Sequence, residues 1–537
     1  MKKLDLSSLD DRNFATILKL QSEHNGEGNF LITDDCTITF SQAEDITNRL
    51  AAGLRALGVQ TDDRVSLYMT SCPEMVLLAL AVNKIRAVWV PINTEYKGEW
   101  LVDTLVRSRC RLLITDQESQ QKITAIQSRL NGMEVVVVGD HDEQLKTTAS
   151  YQQLLDHEPL TPDYGNMHYG DTCAILWTSG TTGKSKGVMQ SYNAWIRAIQ
   201  EGASTLYNSV AGDSIYCVLP LYNSGAWITC IFRALLEGIP VIIEKRFSVN
   251  KFWDRIRHFG ATQTFAIGAM GTFLLSSPVK ANDADNPLRV AQIVPMSSDN
   301  WNKFEQRFGV KLLRSGMGLS ECFVVARQTE DRDDVPLHAV GFSANDAQLS
   351  LLDDDGNPVD DGQVGELAVK PLVPYIIFNG YFDSPEATAE AFHEDWFLTG
   401  DLGRKDPATG AFFFVDRKKD AIRYAGRNIS TMEVESVAIR HPAVKEVAAY
   451  GITSEDVESE QELKISVVVE PGQSLQCEEL CQFINDNAPY YFVPRFIQFT
   501  EALPYTPTNK LQKFLLREQG NDNDTWDLKQ SEYKVDR

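Results

Sequence analysis

The densest concentration of chemically useful residues lies in the stretch TSGTTGKSKG, residues 178 to 187. It combines three glycines (Gly180, Gly183, Gly187), five hydroxyls (Thr178, Ser179, Thr181, Thr182, Ser185) and two lysines (Lys184, Lys186). Glycines let backbone amides approach an anion, hydroxyls donate hydrogen bonds, and lysines supply charge, so such a loop can surround a polyphosphate. It is not the loop of kinases and GTPases. Gly183-Lys184-Ser185 supplies the second half of that motif, but the position of its first glycine is occupied by Thr178, whose Cβ and hydroxyl would obstruct the wrapping amides. Gly, Ser and Thr also make flexible linkers. Here, however, the apolar run CAILW leads straight into the segment, and loops leaving the end of a buried strand are where α/β proteins bind ligands.

A second concentration is RKKDAIRYAGR, residues 417 to 427, with five basic residues in eleven. The whole chain is acidic, with 51 Lys and Arg against 74 Asp and Glu and a net charge of −23. That balance argues against binding nucleic acid, whose affinity comes largely from cations on phosphates. An anionic ligand needs a local exception, and this island is one, although a charge run is otherwise a solvated face. Nine cysteines are scattered without a CxxC pair or a metal-ligand array, so reduced thiols are expected, with Cys477 and Cys481 along one helix face. The histidines form no HExxH pair and no serine sits in a GxSxG elbow, which removes the usual signs of a metalloprotease or an α/β hydrolase.

These residues need a framework, and 537 residues are enough for several units. SQAEDITNRLAAGLRALG predicts an amphipathic helix with Ser41 and Glu44 as a capping box, Ile46, Leu50, Leu54 and Leu57 on one face, and Gly58 as its stop. RVSLYM, AVWVPI, CRLLIT, EVVVVG, SIYCVLP, PVIIE and ATQTFAI read as strands, with helical stretches such as PEMVLLALAVNKI between them. Apolar strands alternating with helices mean parallel sheets covered on both faces. The expected fold is therefore α/β, a large N-terminal body of doubly wound sheets. Turn-rich LLDDDGNPVDDGQVGELAV marks a β-rich subdomain at about 340–415, and the last 120 or so residues read as a small α+β unit ending in a polar, loose tail. No apolar run of 18 residues could span a bilayer, and MKKLDLSSLDDRNF is not a signal peptide, so a cytoplasmic location is expected.

TSGTTGKSKG, GMGLSE at 316–321, WFLTGDLG at 396–403 followed by DRKKDAIRYAGRNIS, and PYTPTNKLQK at 504–513 occur in this order. Together they resemble the acyl-adenylate-forming, AMP-binding enzymes, a superfamily that includes acyl-CoA synthetases, nonribosomal adenylation domains and firefly luciferase. The resemblance covers nearly the whole chain. Local wording such as RFGVKLL, and FW followed by ATQTF, is similar to the carnitine-CoA and crotonobetaine-CoA ligase branch. It implies an N-terminal AMP-binding domain over 1–415, a hinge at 416–420, a mobile C-terminal α+β domain over 421–520 and a flexible tail over 521–537.

The implied reaction is ATP-dependent activation of a carboxylic acid to acyl-AMP with release of pyrophosphate, then thioester formation with CoA and release of AMP. Two anions meet and charge builds at phosphorus, so cations and amide donors are the catalytic resource. A lysine about 4 Å from that charge contributes roughly 4 kcal/mol at an effective dielectric near 20. The resemblance assigns Thr178, Ser179, Gly180, Thr181, Thr182, Gly183, Lys184 and Lys186 to the β- and γ-phosphates, with Gly316, Met317 and Gly318 also at the nucleotide. Glu321 would bind Mg²⁺ with Ser320 beside it, Asp401 the ribose hydroxyls, Arg417 the ribose or a phosphate, and Lys510 would bridge carboxylate and α-phosphate. Lys419 would be the pivot, after which Gly426 lets pantetheine pass while Arg423 or Arg427 meets the phosphates of CoA.

Three positions depart from the family wording. Met317 stands where an aromatic stacks on adenine, Asn509 replaces the glycine before the lysine, and Asn223 replaces a frequent histidine. Around Asn223 the acyl pocket is expected from Tyr222, Gly225, Trp227, Gly268 with Ala269, Met270 and Ser297 with Ser298. Adjacent serines where glycines are common favour a short or polar acid, carnitine-like included. Two alternatives remain open: transfer of the acyl group to a separate carrier protein, and a nucleotide-binding pseudoenzyme.

Overall fold

The computed structural model describes residues 4–130, 132–178, 185–314, 316–328, 332–418, 420, 422–424, 427–453, 461–488, 490–505, 511–522 and 524–535, with backbone alone at 423, 424, 427 and 428. The apolar runs become two seven-stranded sheets. In one, the order is Lys311–Leu312, Val290–Val294, Gln263–Ile267, Ile215–Cys217, Val241–Ile243, Asn29–Ile32 and Thr37–Thr39, parallel except for the last pair. The other runs Ala149–Ser150, Glu134–Val138, Leu112–Asp116, Arg64–Tyr68, Val88–Pro91, Thr172–Trp177 and Gly187–Ser191, again parallel except for the last pair. The fold is α/β, as expected.

The helix Pro73–Lys84 is buried at eleven of its twelve positions, because its apolar residues surround the axis instead of forming one stripe. With Phe14–Asn25 and Phe40–Ala56 it joins a core containing strand residues of both sheets. Trp89, Trp195, Trp227 and Phe232 meet in that core at centroid separations of 4.5 to 6.2 Å.

The helix over SQAEDITNRLAAGLRALG forms, but its cap lies two residues earlier than the capping box expected from Ser41 and Glu44. Thr39 accepts from the Gln42 amide and the Gln42 side chain accepts from the Thr39 amide, at 3.2 and 2.9 Å. Burial of Phe40 draws the first turn back by those residues. Glu44 is thereby left to serve the interior: Lys84, fully buried, places its Nζ 2.7 Å from Glu44 Oε2 and donates to Asn48 Oδ1 at 2.7 Å. Burial, only partly offset by Glu44, holds the Lys84 pKa down to about 8.

The turn-rich region forms an antiparallel sheet of Ala347–Leu352, Val364–Pro371, Phe392–His393, Trp396–Lys405 and Phe412–Arg417. Beyond it the helices Thr431–Ala438 and Cys477–Asn487 accompany a four-stranded sheet, Val444–Thr453, Gln461–Val469, Phe496–Phe499 and Trp526–Asp527. Cys477 and Cys481 share the buried face of their helix, and burial pushes the Cys477 thiol up to about 11. The last strand corrects the expectation of a loose tail over 521–537. Trp526–Asp527 adds an antiparallel edge to Phe496–Phe499, and Trp526, Leu528, Tyr533 and Val535 pack on the local core. Four apolar side chains within ten residues suffice to anchor a segment whose average composition is polar. Among the described residues no helix is long and apolar enough to cross a membrane.

Candidate functional site

The strand Thr172–Trp177 runs antiparallel to Gly187–Ser191 with Trp177 opposite Gly187. One residue further, the Thr178 amide and hydroxyl both donate to the Lys186 carbonyl, at 3.0 and 3.3 Å. The neck of the expected phosphate loop is therefore a closed hairpin.

The other edge of Gly187–Ser191 takes up the segment 379–382. Met189 N donates to the Gly380 carbonyl at 3.0 Å, Asn379 N to Met189 at 2.8 Å and Phe382 N to Gly187 at 2.7 Å. This places the Tyr381 ring 4.6 Å from the Lys186 ammonium. The Tyr381 hydroxyl donates to Glu321 Oε1 at 2.8 Å, and the Glu321 carbonyl accepts from Phe378 N at 2.8 Å. The Gln190 side chain donates to the Ser320 carbonyl. Burial, reinforced by the Glu321 charge, pushes the Tyr381 phenol far above its ordinary value, so it stays a hydrogen-bond donor throughout the physiological range.

Within GMGLSE, Met317 is laddered to Ala326, its amide donating at 2.9 Å. A Cβ on Gly318 would collide with the Phe323 carbonyl oxygen, so this turn closes only around glycine. The Met317 side chain packs both on the main core and on Leu351, Leu367 and Phe412 of the antiparallel sheet. That sheet carries the next motif. Asp401, 1 % exposed, lies opposite Arg417 on the neighbouring strand, with Arg417 Nε 2.9 Å from Asp401 Oδ1. Asp416 is also buried, and its Oδ2 accepts from the amide and hydroxyl of Thr431 at 2.5 and 2.8 Å, fixing the start of Thr431–Ala438. Lys418 reaches Glu366 at 2.8 Å and Asp354 at 3.1 Å. Two cations of the basic island, Arg417 and Lys418, are thus engaged by acids of the antiparallel sheet.

Thr178, Lys186, Ser320 and Glu321 are thereby drawn into one chain of contacts and Asp401 with Arg417 into another, with Met317 packed on both sides. Ser179, Gly180, Thr181, Thr182, Gly183, Lys184, Lys419, Gly426, Asn509 and Lys510 lie outside the described residues, and of Arg423 and Arg427 only the backbone is described, in a hairpin pairing Ile422–Tyr424 with Arg427–Ile429.

Two of the acyl-pocket candidates carry structural duties of their own. Trp227 has no exposed surface; it opens a π-helical turn, donates from Nε1 to the Leu221 carbonyl at 2.6 Å and stacks among the core aromatics, so it supports the region from beneath. Ser297 spends its hydroxyl as the cap of the helix Ser298–Phe308, accepting from Asn300 N at 3.3 Å, so an N-cap requirement explains this serine. Tyr222 is half-buried, and burial followed by the nearby Glu95 raises its phenol to about 12. Asn223 is exposed at the start of the turn Ser224–Ala226, and the Gly225 carbonyl accepts from Thr229 Oγ1 at 2.6 Å. Gly268 abuts the Pro295 carbonyl, leaving no room for a side chain, and Met270 is half-buried beside both core clusters.

Tyr381, Gln190 and Arg107 at the loop's neck were not singled out from sequence. Tyr381 carries no charge and lies 60 positions from Glu321. Its signal was the FNGYF turn, in which a glycine precedes an aromatic.

Comparison with known proteins bears on the same segments. The family model described as AMP-binding enzyme matches residues 18–382, and that for the AMP-binding enzyme C-terminal domain matches residues 433–510. The chain belongs to the AMP-binding enzyme family. Its relatives include the crotonobetaine/carnitine–CoA ligases of Salmonella agona (strain SL483) and Salmonella typhimurium (strain LT2), each 29 % identical over 513 residues and covering 91 % of this chain and 95 % of theirs. Among solved structures, the anthranilate CoA ligase AuaEII in complex with anthranoyl-AMP shares the fold at a TM-score of 0.82 and 24 % identity, over 94 % of this chain and 97 % of that one. ATP-bound MatB from Rhodopseudomonas palustris does so at 0.82 and 24 %, over 94 % and 98 %.

Proposed function

We propose that this protein is an AMP-forming acyl-CoA ligase that takes a short or polar carboxylic acid, carnitine-like acids among them. The observation that carries the reading is the chain from Lys186 through Tyr381 to Glu321, which couples the neck of the phosphate loop to the acidic end of GMGLSE. Relatives acting on crotonobetaine and carnitine support the substrate class, and the exposed Asn223 beside Tyr222 suits a polar acid better than a long aliphatic chain.

In the first half-reaction a carboxylate oxygen attacks the α-phosphorus, the bond to the β-phosphate breaks and pyrophosphate leaves. Thr178 and Lys186 at the neck, with the loop between them, hold the β- and γ-phosphates; Asp401 accepts from the ribose, with Arg417 beside it; Lys510 spans carboxylate and α-phosphate. Among the described residues no group of three His, Cys, Asp or Glu forms a protein cage for a metal. Mg²⁺ commonly binds through one carboxylate together with substrate phosphates, so Glu321, oriented by Tyr381, fits it. When bound, the ion would neutralise phosphate charge. In the second half-reaction the CoA thiol displaces AMP from the acyl carbon, after rotation about Lys419 withdraws Lys510 and presents the segment around Gly426.

The test is pyrophosphate release across short, aromatic, betaine-like and long-chain acids, with ATP and Mg²⁺, with and without CoA. Release that depends on a short or polar acid and rises with CoA is expected. Release indifferent to CoA would remove the ligase assignment, and a long-chain preference would remove the substrate class. Lys510→Ala should slow acyl-AMP formation about 10²- to 10³-fold while sparing thioester formation from supplied acyl-AMP.

A further inference from the structure

The helix Gly98–Arg107 ends beside the neck of the phosphate loop and contacts the chain on both sides of it, at Trp177 and at Ser185. From its last turn, the Arg107 guanidinium lies 4.8 Å from the centroid of the Trp177 ring, the residue before Thr178. The same group donates from Nη2 to the carbonyl of Ser185, the residue before Lys186, at 2.7 Å. Trp177 is held from a second direction, its Nε1 donating to Ser108 Oγ at 2.8 Å while that hydroxyl donates to the Thr104 carbonyl at 2.6 Å. Asp103, one turn back, lies 3.1 Å from Arg107 Nη1 and steadies the side chain.

We propose that Arg107 is a positioning residue for nucleotide binding, clamping the two ends of the 178–186 loop so that its neck is set before ATP arrives. A guanidinium suits this because it is planar: its face can stack on the indole while its edge donates to a carbonyl. A lysine ammonium can do one or the other. The peptide unit is rigid, so fixing the Ser185 carbonyl toward Arg107 turns the Lys186 N–H to the opposite side and removes one rotational freedom from a backbone that would otherwise be ordered at the expense of binding. The carbonyl bond carries a full charge on its donor, which makes it stronger than a neutral one. Arg107 does not touch the reacting atoms; it acts through Trp177 and Ser185.

This rests on the reading of the loop as the holder of the β- and γ-phosphates, and the test separates the two. Equilibrium binding of ATP and of AMP is measured by calorimetry on the full chain for wild type, Arg107→Gln, Arg107→Lys and Lys186→Ala. Losing a net contribution of the size of one charge-assisted hydrogen bond weakens ATP binding about tenfold. For Arg107→Gln that loss is expected for ATP, with AMP, which lacks the β- and γ-phosphates, within about twofold of wild type, and Arg107→Lys should fall between. Equal weakening of ATP and AMP would mark a merely structural role and overturn the proposal. ATP affinity unchanged in Arg107→Gln but lost in Lys186→Ala would also overturn it while leaving the phosphate loop standing. ATP affinity unchanged in both would remove the phosphate-loop reading and the clamp with it.

Discussion

Replacing Tyr381 by phenylalanine isolates the bond that orients Glu321. The ring stays, with its packing 5.0 Å from Phe378 and its face toward Lys186, and only the hydroxyl that donates to Glu321 Oε1 at 2.8 Å is lost. Tyr381 is 8 % exposed, so water cannot readily replace that donor. A hydrogen bond to a charged group contributes about 1.5 to 3 kcal/mol. If Glu321 must be oriented only in the transition state, the whole of this appears in the rate, about 10- to 150-fold. If it is equally oriented in the ground state, the loss moves to the concentration of Mg²⁺ needed for half-maximal rate. The assay is initial-rate pyrophosphate release at varied ATP and Mg²⁺, and Tyr381→Phe is expected to be at least about tenfold slower in kcat/KM or to need correspondingly more Mg²⁺. Tyr381→Leu, which also removes the cation–π contact, should lose a further factor of about two to five. A phenylalanine variant within about twofold of wild type in both quantities would refute the claim that Tyr381 orients Glu321.

Three further perturbations probe the surrounding structure. Gly318→Ala forces a Cβ against the Phe323 carbonyl, and the cost of such overpacking, about 1 to 3 kcal/mol, should appear as weaker nucleotide binding measured by titration with ATP. Arg417→Gln removes the guanidinium 2.9 Å from the buried Asp401 carboxylate, and because Arg417 is half exposed the loss in denaturant unfolding should be about 1 to 2 kcal/mol, between the values for exposed and buried pairs; an unchanged midpoint would count against the pair. Lys84 predicts a pH effect. Its folded pKa of about 8 lies below the ordinary value of 10.5, so between those limits the unfolded chain binds more protons and stability rises with pH, by about 3 kcal/mol in total. The wild-type stability minus that of Lys84→Met should climb across that window and stay flat below it, as followed by denaturant unfolding at successive pH values.

Periodicity and motif order settled a good deal of this protein. Strands such as Leu112–Asp116 and Glu134–Val138 were legible because a parallel strand covered on both faces must be largely apolar, and the helix Pro73–Lys84 because no polar residue interrupts its run from Met75 to Val82. The loop at 178–187 and GMGLSE could be singled out as candidates because glycines, hydroxyls and cations in close spacing are what phosphate binding would require. Local signals misled where a distant contact competed with them. Ser41 and Glu44 spelled a capping box, but burial of Phe40 moved the cap to Thr39 and an interior lysine claimed Glu44. The tail looked soluble on average, yet a few apolar side chains found a sheet edge.

What a single sequence could not reveal is which distant residues complete each other. Trp227 and Ser297 stood at plausible pocket positions, and only packing showed one to be a core aromatic and the other a helix cap. Tyr381 meets Glu321 from 60 positions away, and Arg107 meets Ser185 from 78. Local spacing determines which chemistry a segment can offer, because that depends on side chains a few residues apart. Which neutral or structural residue aims that chemistry depends on how strands order themselves in a sheet, and that order is decided by the global burial of apolar surface rather than by any one segment.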